Sequence, residues 1–498
     1  MAGIEVDQII DATVLSGREN IVFCLGPFAR RVSFSAQQHR ALNLVWALWR
    51  RKVFNKGDPV AVIGGGIAGL TAAAGLIAYE CAVDVFEANS VTVAKQRYTD
   101  HRLVHPTVNQ WPLTKLSMTT RLPFLEWFSG KCSEVATGIA TQYEELRGSN
   151  RLLTDHRVVD ISDLATGLVY LKTSPHLQGN HGYRLVIIAI GFGEEASSAP
   201  FQAIDYWFPD GLETLRDTKK AEDFLISGCG DGGLIDSLRV LHQGFQRGQL
   251  AFDVAAELAD TELAAAIARA ESEARIARTS DGLGAIYEGL AEILDTSPDY
   301  EVVATKLRAS LEKSSMIYLI DRDLEAPYSL NAAPIHKLMI AHARIRGQII
   351  YRRAVAALEH KEVHFAGKRI PAPPASHVII RHGPAPAFGR LLTDDEIVSL
   401  RARQSVAPDA LADPLWPDPF PTPPSLPVQD LNDLRFVESR VPLATRAIRS
   451  IVEDADIMPL AGRLRAIYGG AVPASAPTEL FGIPVENTIR PKVMGIGG

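Results

Sequence analysis

The chain has 498 residues, enough for about two to four domains with ample core. Hydrophobic residues make up 47% and charged residues 22%, the balance of a globular protein, and a net charge of -7 gives no reason to expect a nucleic-acid partner. The opening MAGIEVDQIID is acidic and lacks an apolar core, so no secretory signal is visible. Cys24, Cys81, Cys132 and Cys229 are too scattered for a zinc site or a dithiol centre, and a reduced, cytoplasmic protein is the expectation.

Residues 1–57 read as an N-terminal extension that packs against the body. Ile21 to Leu25 and Arg31 to Phe34 suggest short strands around Gly26-Pro27. Ser35 with Gln38 three residues on suggests a capping box, opening a helix with an apolar face from Ala41 to Trp49.

The stretch PVAVIGGGIAGLTAAAGLIAYECAVDVFE, from Pro59 to Glu87, carries the most information. Val60 to Ile63 is an apolar run suited to a buried parallel strand. Gly64, Gly66 and Gly69 supply G-x-G-x-x-G: a tight turn, an approach for pyrophosphate, and close helix–strand packing. Ile67 and Ala68 open the helix, whose free N–H groups and dipole favour phosphate. Ala82 to Phe86 is the next strand, and Glu87 at its tip is placed to accept from a ribose hydroxyl. Residues 59–79 carry no charge and are about as long as a membrane span, but the glycine cluster near one end divides the run into strand and helix. No membrane partner is expected.

RYTDHRLVHPTVNQWP, residues 97–112, reads as a loop crossing the cofactor crevice. Arg97 and Arg102 are candidates for pyrophosphate, and His101, His105, Asn109 and Trp111 for a pocket wall. Helices are expected to fill 113–147. Arg157 to Ile161, which includes Val159, and Leu168 to Leu171 begin a small β-meander. Arg184 to Ile190 then ends in a glycine exit at Gly191 that lets backbone approach a cofactor.

DFLISGCGDGGLIDSLRVLHQGF begins a second unit. Gly228, Gly230 and Gly233 repeat the motif, with Asp231 inside the turn. Residues 254–313 read as about three helices inserted into this unit, forming a substrate lid, a protein-partner surface or a solvated subdomain. The second strand is then Ile317 to Ile320, with Asp321-Arg322 at its tip, in preference to the short LAFD ending at Asp253. Ile349 to Tyr351, Val363 to Ala366 and His377 to Ile380 repeat the order of the first half. The expected fold is therefore α/β: two Rossmann-like dinucleotide-binding units, each with a β-meander, the second carrying a helical insertion. The units are 58–215 and 216–385. Residues 386–498 hold eight prolines between Pro408 and Pro427, expected helices at 441–454 and 457–468, and the tail VMGIGG.

On these motifs, residues 58–385 resemble the flavoproteins with two dinucleotide-binding domains, the glutathione-reductase-like and flavin-monooxygenase-like oxidoreductases. The resemblance implies FAD on Gly64, Gly66, Gly69 and Glu87. It implies NAD or NADP on Gly228, Gly230 and Gly233, with Asp321 reading the ribose; the acid favours NAD, while Arg322 leaves NADP open. Three departures stand out. The redox cysteine pair is absent. The monooxygenase fingerprint stops at Phe128-Ser129-Gly130, with Glu134 where it needs histidine. No C-terminal strand ends in Gly-Asp. Arg381-His382 also replaces the small residues usual before the second glycine exit. The implied function is an FAD-dependent oxidoreductase using NAD(P)H, acting on an unidentified small molecule or oxygen. The alternative is a dinucleotide-binding sensor or assembly subunit without turnover.

Overall fold

The computed structural model describes residues 6–423 except 20, 164–166, 178–180, 197–202, 219–222, 312–315, 355–356, 360–361, 366–367, 372–376, 386–387, 390, 418 and 422, and beyond 423 only 479–480 and 483–484. The helices expected at 441–454 and 457–468 and the glycine-rich tail lie outside the described residues.

Two parallel sheets carry the fold. The first holds β1 (Val22–Cys24), β2 (Pro59–Ile63), β3 (Ala82–Phe86), β4 (Arg151–Leu153) and β5 (Leu185–Ile188), in the spatial order β1-β5-β2-β3-β4. The second holds β6 (Phe224–Ser227), β7 (Ile317–Asp321), β8 (Ile349–Arg353) and β9 (Val378–Ile380), in the order β9-β6-β7-β8. Removing β1 leaves the same order in both. Each sheet is accompanied by a three-stranded antiparallel meander, 157–183 in the first unit and 357–371 in the second. A short antiparallel pair, Glu194–Glu195 with Pro384–Ala385, joins the two glycine exits.

The central strands β2, β5 and β6 are apolar on both faces because both faces are covered. Val60, Val62, Val83, Val85, Leu185 and Ile187 enter one core with the helices Phe34–Arg50, Ile67–Ala78 and Cys132–Leu146. Their alternates Ala61, Ile63, Phe86, Val186 and Ile188 enter another, with the meander and Phe388, Leu391, Leu392 and Leu400. The helix Ile67–Ala78 is buried at every position but Ala68. This explains its membrane-like composition: it is sandwiched between sheet and helices. A Cβ on Gly75 would stand 3.2 Å from Leu42 and 3.3 Å from Val45, so the glycine sets how closely two helices pack. Among the described residues no helix is long and apolar enough to cross a membrane.

Several expectations are corrected. The extension does more than pack outside: β1 is an edge strand of the first sheet, parallel to β5. Arg31 to Phe34 is not a strand, since Arg31 has φ 55°. The helix cap is Ser33, whose side chain accepts from the Ala36 N–H. Ser35 donates instead to the Pro106 carbonyl at 2.6 Å, and Gln38 to the Leu125 carbonyl at 3.0 Å. Residues 113–131 form no helix. Arg121 (φ 52°) and Leu125 (φ 50°) have left-handed backbone, which breaks helical continuity, and Leu122, Phe124, Leu125 and Trp127 bury without helical period.

The insertion begins earlier than position 254 and contains four helices: Gln249–Glu257, Glu262–Ala277, Leu283–Thr296 and Glu301–Ser310. LAFD is therefore helical, and β7 is the strand that pairs with β6. The insert is fused to the second core rather than solvated. Leu263, Ile267, Tyr287, Leu290 and Leu294 pack with Ile335, Leu338 and Met339 of the helix Pro334–Ile345. Lys337 and Glu271 meet at 2.7 Å with both side chains fully buried. Past the second unit the chain returns to the first. The helix Asp394–Val406 donates from Gln404 to the Cys24 carbonyl, and Asn43 holds the carbonyls of Leu411 and Asp413.

Candidate functional site

The first glycine turn is fixed by backbone on three sides. Gly64 has φ 111°, and its N–H donates to the Phe86 carbonyl at 2.7 Å. A Cβ there would lie 2.4 Å from the Ala189 carbonyl oxygen, and one on Gly69 would lie 1.9 Å from the Gly64 carbonyl oxygen. Side chains at these two positions would drive helix and strand apart. Gly66 differs: a Cβ there meets nothing within 4 Å. It is the one motif glycine that the protein's own packing does not require, which is the expected sign of space kept for a ligand.

The second turn repeats this nearly atom for atom. Gly228 has φ 113° and donates to the Ile320 carbonyl at 2.8 Å. A Cβ on Gly228 would lie 2.0 Å from the Arg381 carbonyl oxygen, one on Gly233 1.9 Å from the Gly228 carbonyl oxygen, and one on Gly230 in open space. The acidic tips also match. Glu87 accepts from the Gly65 N–H at 2.8 Å, and Asp321 from the Cys229 N–H at 3.1 Å. Glu87 further accepts from Asn89, and Asp321 from the Asp323 and Leu324 N–H groups. Each carboxylate thus braces its turn while facing the same crevice.

Both turns open into one cavity of ≈ 1760 Å³. A site for one drug-sized molecule is roughly 300–1,000 Å³, so this volume suits two large ligands. Gly64, Gly66, Ile67, Ala68 and Glu87 line it from the first unit, joined by Val159 and Gly191. Gly228, Gly230, Asp231, Asp321 and Arg322 line it from the second. Gly69 and Gly233 lie behind the wall and serve the packing. The carboxylate of Asp231 accepts from His336 at 2.7 Å and from the Ala333 N–H at 2.9 Å. Burial pushes that carboxyl up, but His336 and the Ala333 N–H outweigh it and hold it below the usual range.

The loop after Glu87 departs from expectation in part. His105 and Asn109 line the cavity; Arg97, His101 and Trp111 do not. Trp111 is in the second core. Arg102 reaches the cavity wall with Nε and Nη2 engaged, while its buried Nη1 has no hydrogen-bond partner among the described residues. The guanidinium donates to the Tyr206 carbonyl at 2.7 Å and to Asp236 at 3.1 Å, and lies 3.4 Å over the Tyr206 ring. Asp236, fully buried, also accepts from Arg239 at 2.9 Å and Arg381 at 2.7 Å. Arg239 in turn grips Asp210 and Glu213 with paired bonds of 2.7 to 2.8 Å. Three guanidiniums meet three carboxylates, which offsets the positive charge that Arg102 brings to the cavity wall. Burial by itself would raise the Asp236 carboxyl; Arg102, Arg381 and Arg239 prevail and hold it far below the carboxylate range. The network also accounts for Arg381 at the glycine exit: it ties β9 to the inter-unit segment through the Ile204 carbonyl at 2.5 Å.

Sequence reasoning missed three parts of the wall. Leu25, Gly26 and the stretch Ala29 to Phe34 line the cavity because β1 ends there. Lys95 lines it while donating to the Gly193 carbonyl at 2.6 Å and to Asp205 at 2.7 Å. Phe252, from the first helix of the insert, packs on the His105 ring with centroids 4.9 Å apart. The available signals were the LGPF exit after an apolar triplet and a lone aromatic in an alanine-rich helix.

No family model matches the chain, and no curated protein matches it. Solved structures do show similarity. The bacillithiol disulfide reductase Bdr (YpdA) from Bacillus cereus is 13% identical, over 67% of this chain and 80% of that one, with a TM-score of 0.37. The thioredoxin reductase from T. acidophilum is 13% identical over 68% and 80%, with a TM-score of 0.33. A flavin monooxygenase from Stenotrophomonas maltophilia is 14% identical over 72% and 97%, with a TM-score of 0.35.

Proposed function

We propose that this chain is an FAD-dependent oxidoreductase that takes hydride from NADH or NADPH and passes it to a small molecule or to oxygen. The observation that carries this reading is the single cavity shared by two duplicated glycine turns, each with an open central glycine and an acidic tip. The residues present fit two dinucleotides. On the first turn Gly66 leaves room for a pyrophosphate beside the N-terminal N–H groups of the helix Ile67–Ala78, and Glu87 faces the ribose position. On the second, Gly230 leaves the same room and Asp321 stands in place of Glu87.

A bound flavin would supply the hydride chemistry itself. The chain's task is placement and exclusion of water. Phe252, Tyr206 and Trp207 give the cavity aromatic wall, and the Arg102–Asp236–Arg381 cluster fixes one unit against the other. NADH is the expected donor, because the Asp321 carboxylate repels a 2′-phosphate; Arg322 beside it supplies the competing attraction. Purified protein should carry a flavin absorption band that bleaches anaerobically on adding NADH, with NADPH run in parallel. Protein that takes up no FAD, or whose flavin neither nucleotide reduces, overturns the proposal.

A further inference from the structure

We propose that His105 is a fixed hydrogen-bond donor for the carboxamide oxygen of the nicotinamide half of the nucleotide on the second turn. This rests on the reading of that turn given above.

The loop sets the ring's chemistry. Nδ1 of His105 accepts from the Thr107 and Val108 N–H groups, both at 3.2 Å. A nitrogen that accepts from two backbone N–H groups carries no proton, so in the neutral ring the proton is on Nε2. Burial keeps the ring neutral, pushing its pKa down to about 3. The ring lines the cavity and is backed by Phe252. Both hydrogen bonds of the ring to described residues are at Nδ1, which leaves Nε2 as the polar atom that His105 presents to a ligand.

Direction selects the ligand. A dinucleotide with one ribose at Asp321 and its pyrophosphate over Gly230 must send its other half away from Asp321, into the inter-unit part of the cavity. Asn109 marks that wall, with its amide 3.4 Å from Asp231 beside Gly230. His105 stands four residues earlier in the same loop. A neutral donor there suits an uncharged carbonyl oxygen. It does not suit proton transfer at neutral pH, because Nδ1 is held as an acceptor.

The test compares NAD⁺ with ADP-ribose, which lacks the nicotinamide, by calorimetry on the full chain. NADP⁺ and its 2′-phosphorylated ADP-ribose counterpart are run in parallel. His105→Asn keeps an acceptor for the Thr107 and Val108 N–H groups and removes the donor at Nε2. His105→Gln restores a donor at similar reach. We expect His105→Asn to weaken NAD⁺ about tenfold and ADP-ribose not at all, and His105→Gln to recover most of the loss. Equal weakening of both ligands, loss of FAD in place of NAD⁺, or unchanged NAD⁺ affinity overturns the assignment. Wild-type protein that binds neither NAD⁺ nor NADP⁺ overturns the reading of the second turn itself.

Discussion

Gly66 and Gly69 are three residues apart, yet the structure assigns them opposite costs. A Cβ on Gly66 meets nothing within 4 Å, and the residue sits at the helix N-cap with φ -80°. Replacing an N-cap glycine there costs about 1 kcal/mol or less. In the proposed complex the same side chain enters the pyrophosphate space. Losing one or two charge-assisted hydrogen bonds is worth about 3 kcal/mol, roughly a hundredfold in affinity. On Gly69 a Cβ would stand 1.9 Å from the Gly64 carbonyl oxygen, a backbone atom that cannot rotate away. Helix and strand must separate, at a cost of about 3 kcal/mol or more. The assay pairs thermal melts of cofactor-free protein with titration by FAD, followed by flavin fluorescence. Gly66→Val should melt near wild type and bind FAD about a hundredfold more weakly, whereas Gly69→Ala should melt well below it. Wild-type FAD affinity in Gly66→Val, or a melting loss matching that of Gly69→Ala, would refute the division between ligand space and packing.

Asp236→Ala leaves the buried guanidiniums of Arg102 and Arg381 without their hydrogen-bonded carboxylate, Arg239 keeping Asp210 and Glu213, and should cost about 3–5 kcal/mol, read as a lowered urea midpoint; a wild-type midpoint would mean the network is not coupled. Because the Asp236 pKa is depressed, its contribution is present above the unfolded value near 4 and is lost as pH falls below it, so the penalty of Asp236→Ala should shrink in acid. Burial pushes His105 down to about 3, and burial, aided by His342, does the same to His242. Below about pH 6.5 the unfolded chain takes up protons that the folded chain refuses, so stability should fall from pH 6.5 downward, by at most about 1.4 kcal/mol per pH unit for each group. Urea curves at pH 7, 6 and 5 test this; equal midpoints at all three would contradict it, and His242→Gln should flatten the slope. Glu271 and Lys337 are fully buried partners joined by Tyr287. Glu271→Leu alone should cost about 3–5 kcal/mol, and adding Lys337→Met should recover most of it in a double-mutant cycle. Additive losses would show that the pair is not coupled.

Local chemistry decided much of this molecule, and it was legible for that reason. Gly64 and Gly228 need positive φ, Gly69 and Gly233 need the absence of a Cβ, and the apolar runs at Val60 to Ile63 and Phe224 to Ser227 admit little but buried parallel strands. The duplication was legible because both units obey the same backbone constraints. Other features depend on partners far along the chain. The short strand at Val22 to Cys24 was legible within Ile21 to Leu25, but it becomes an edge strand of the first sheet only because β5 offers an open edge 164 residues later. Ser35 follows a capping pattern, yet the Pro106 carbonyl takes its hydroxyl and Ser33 caps the helix. Arg102 has the right residue type and loop for a phosphate contact. Only the approach of Asp236, 134 residues away in sequence, makes it a brace between the units as well. Sequence sets what each segment can bond to; the tertiary structure decides which of several competent partners arrives first within reach, and a buried charge must go to the one that neutralises it.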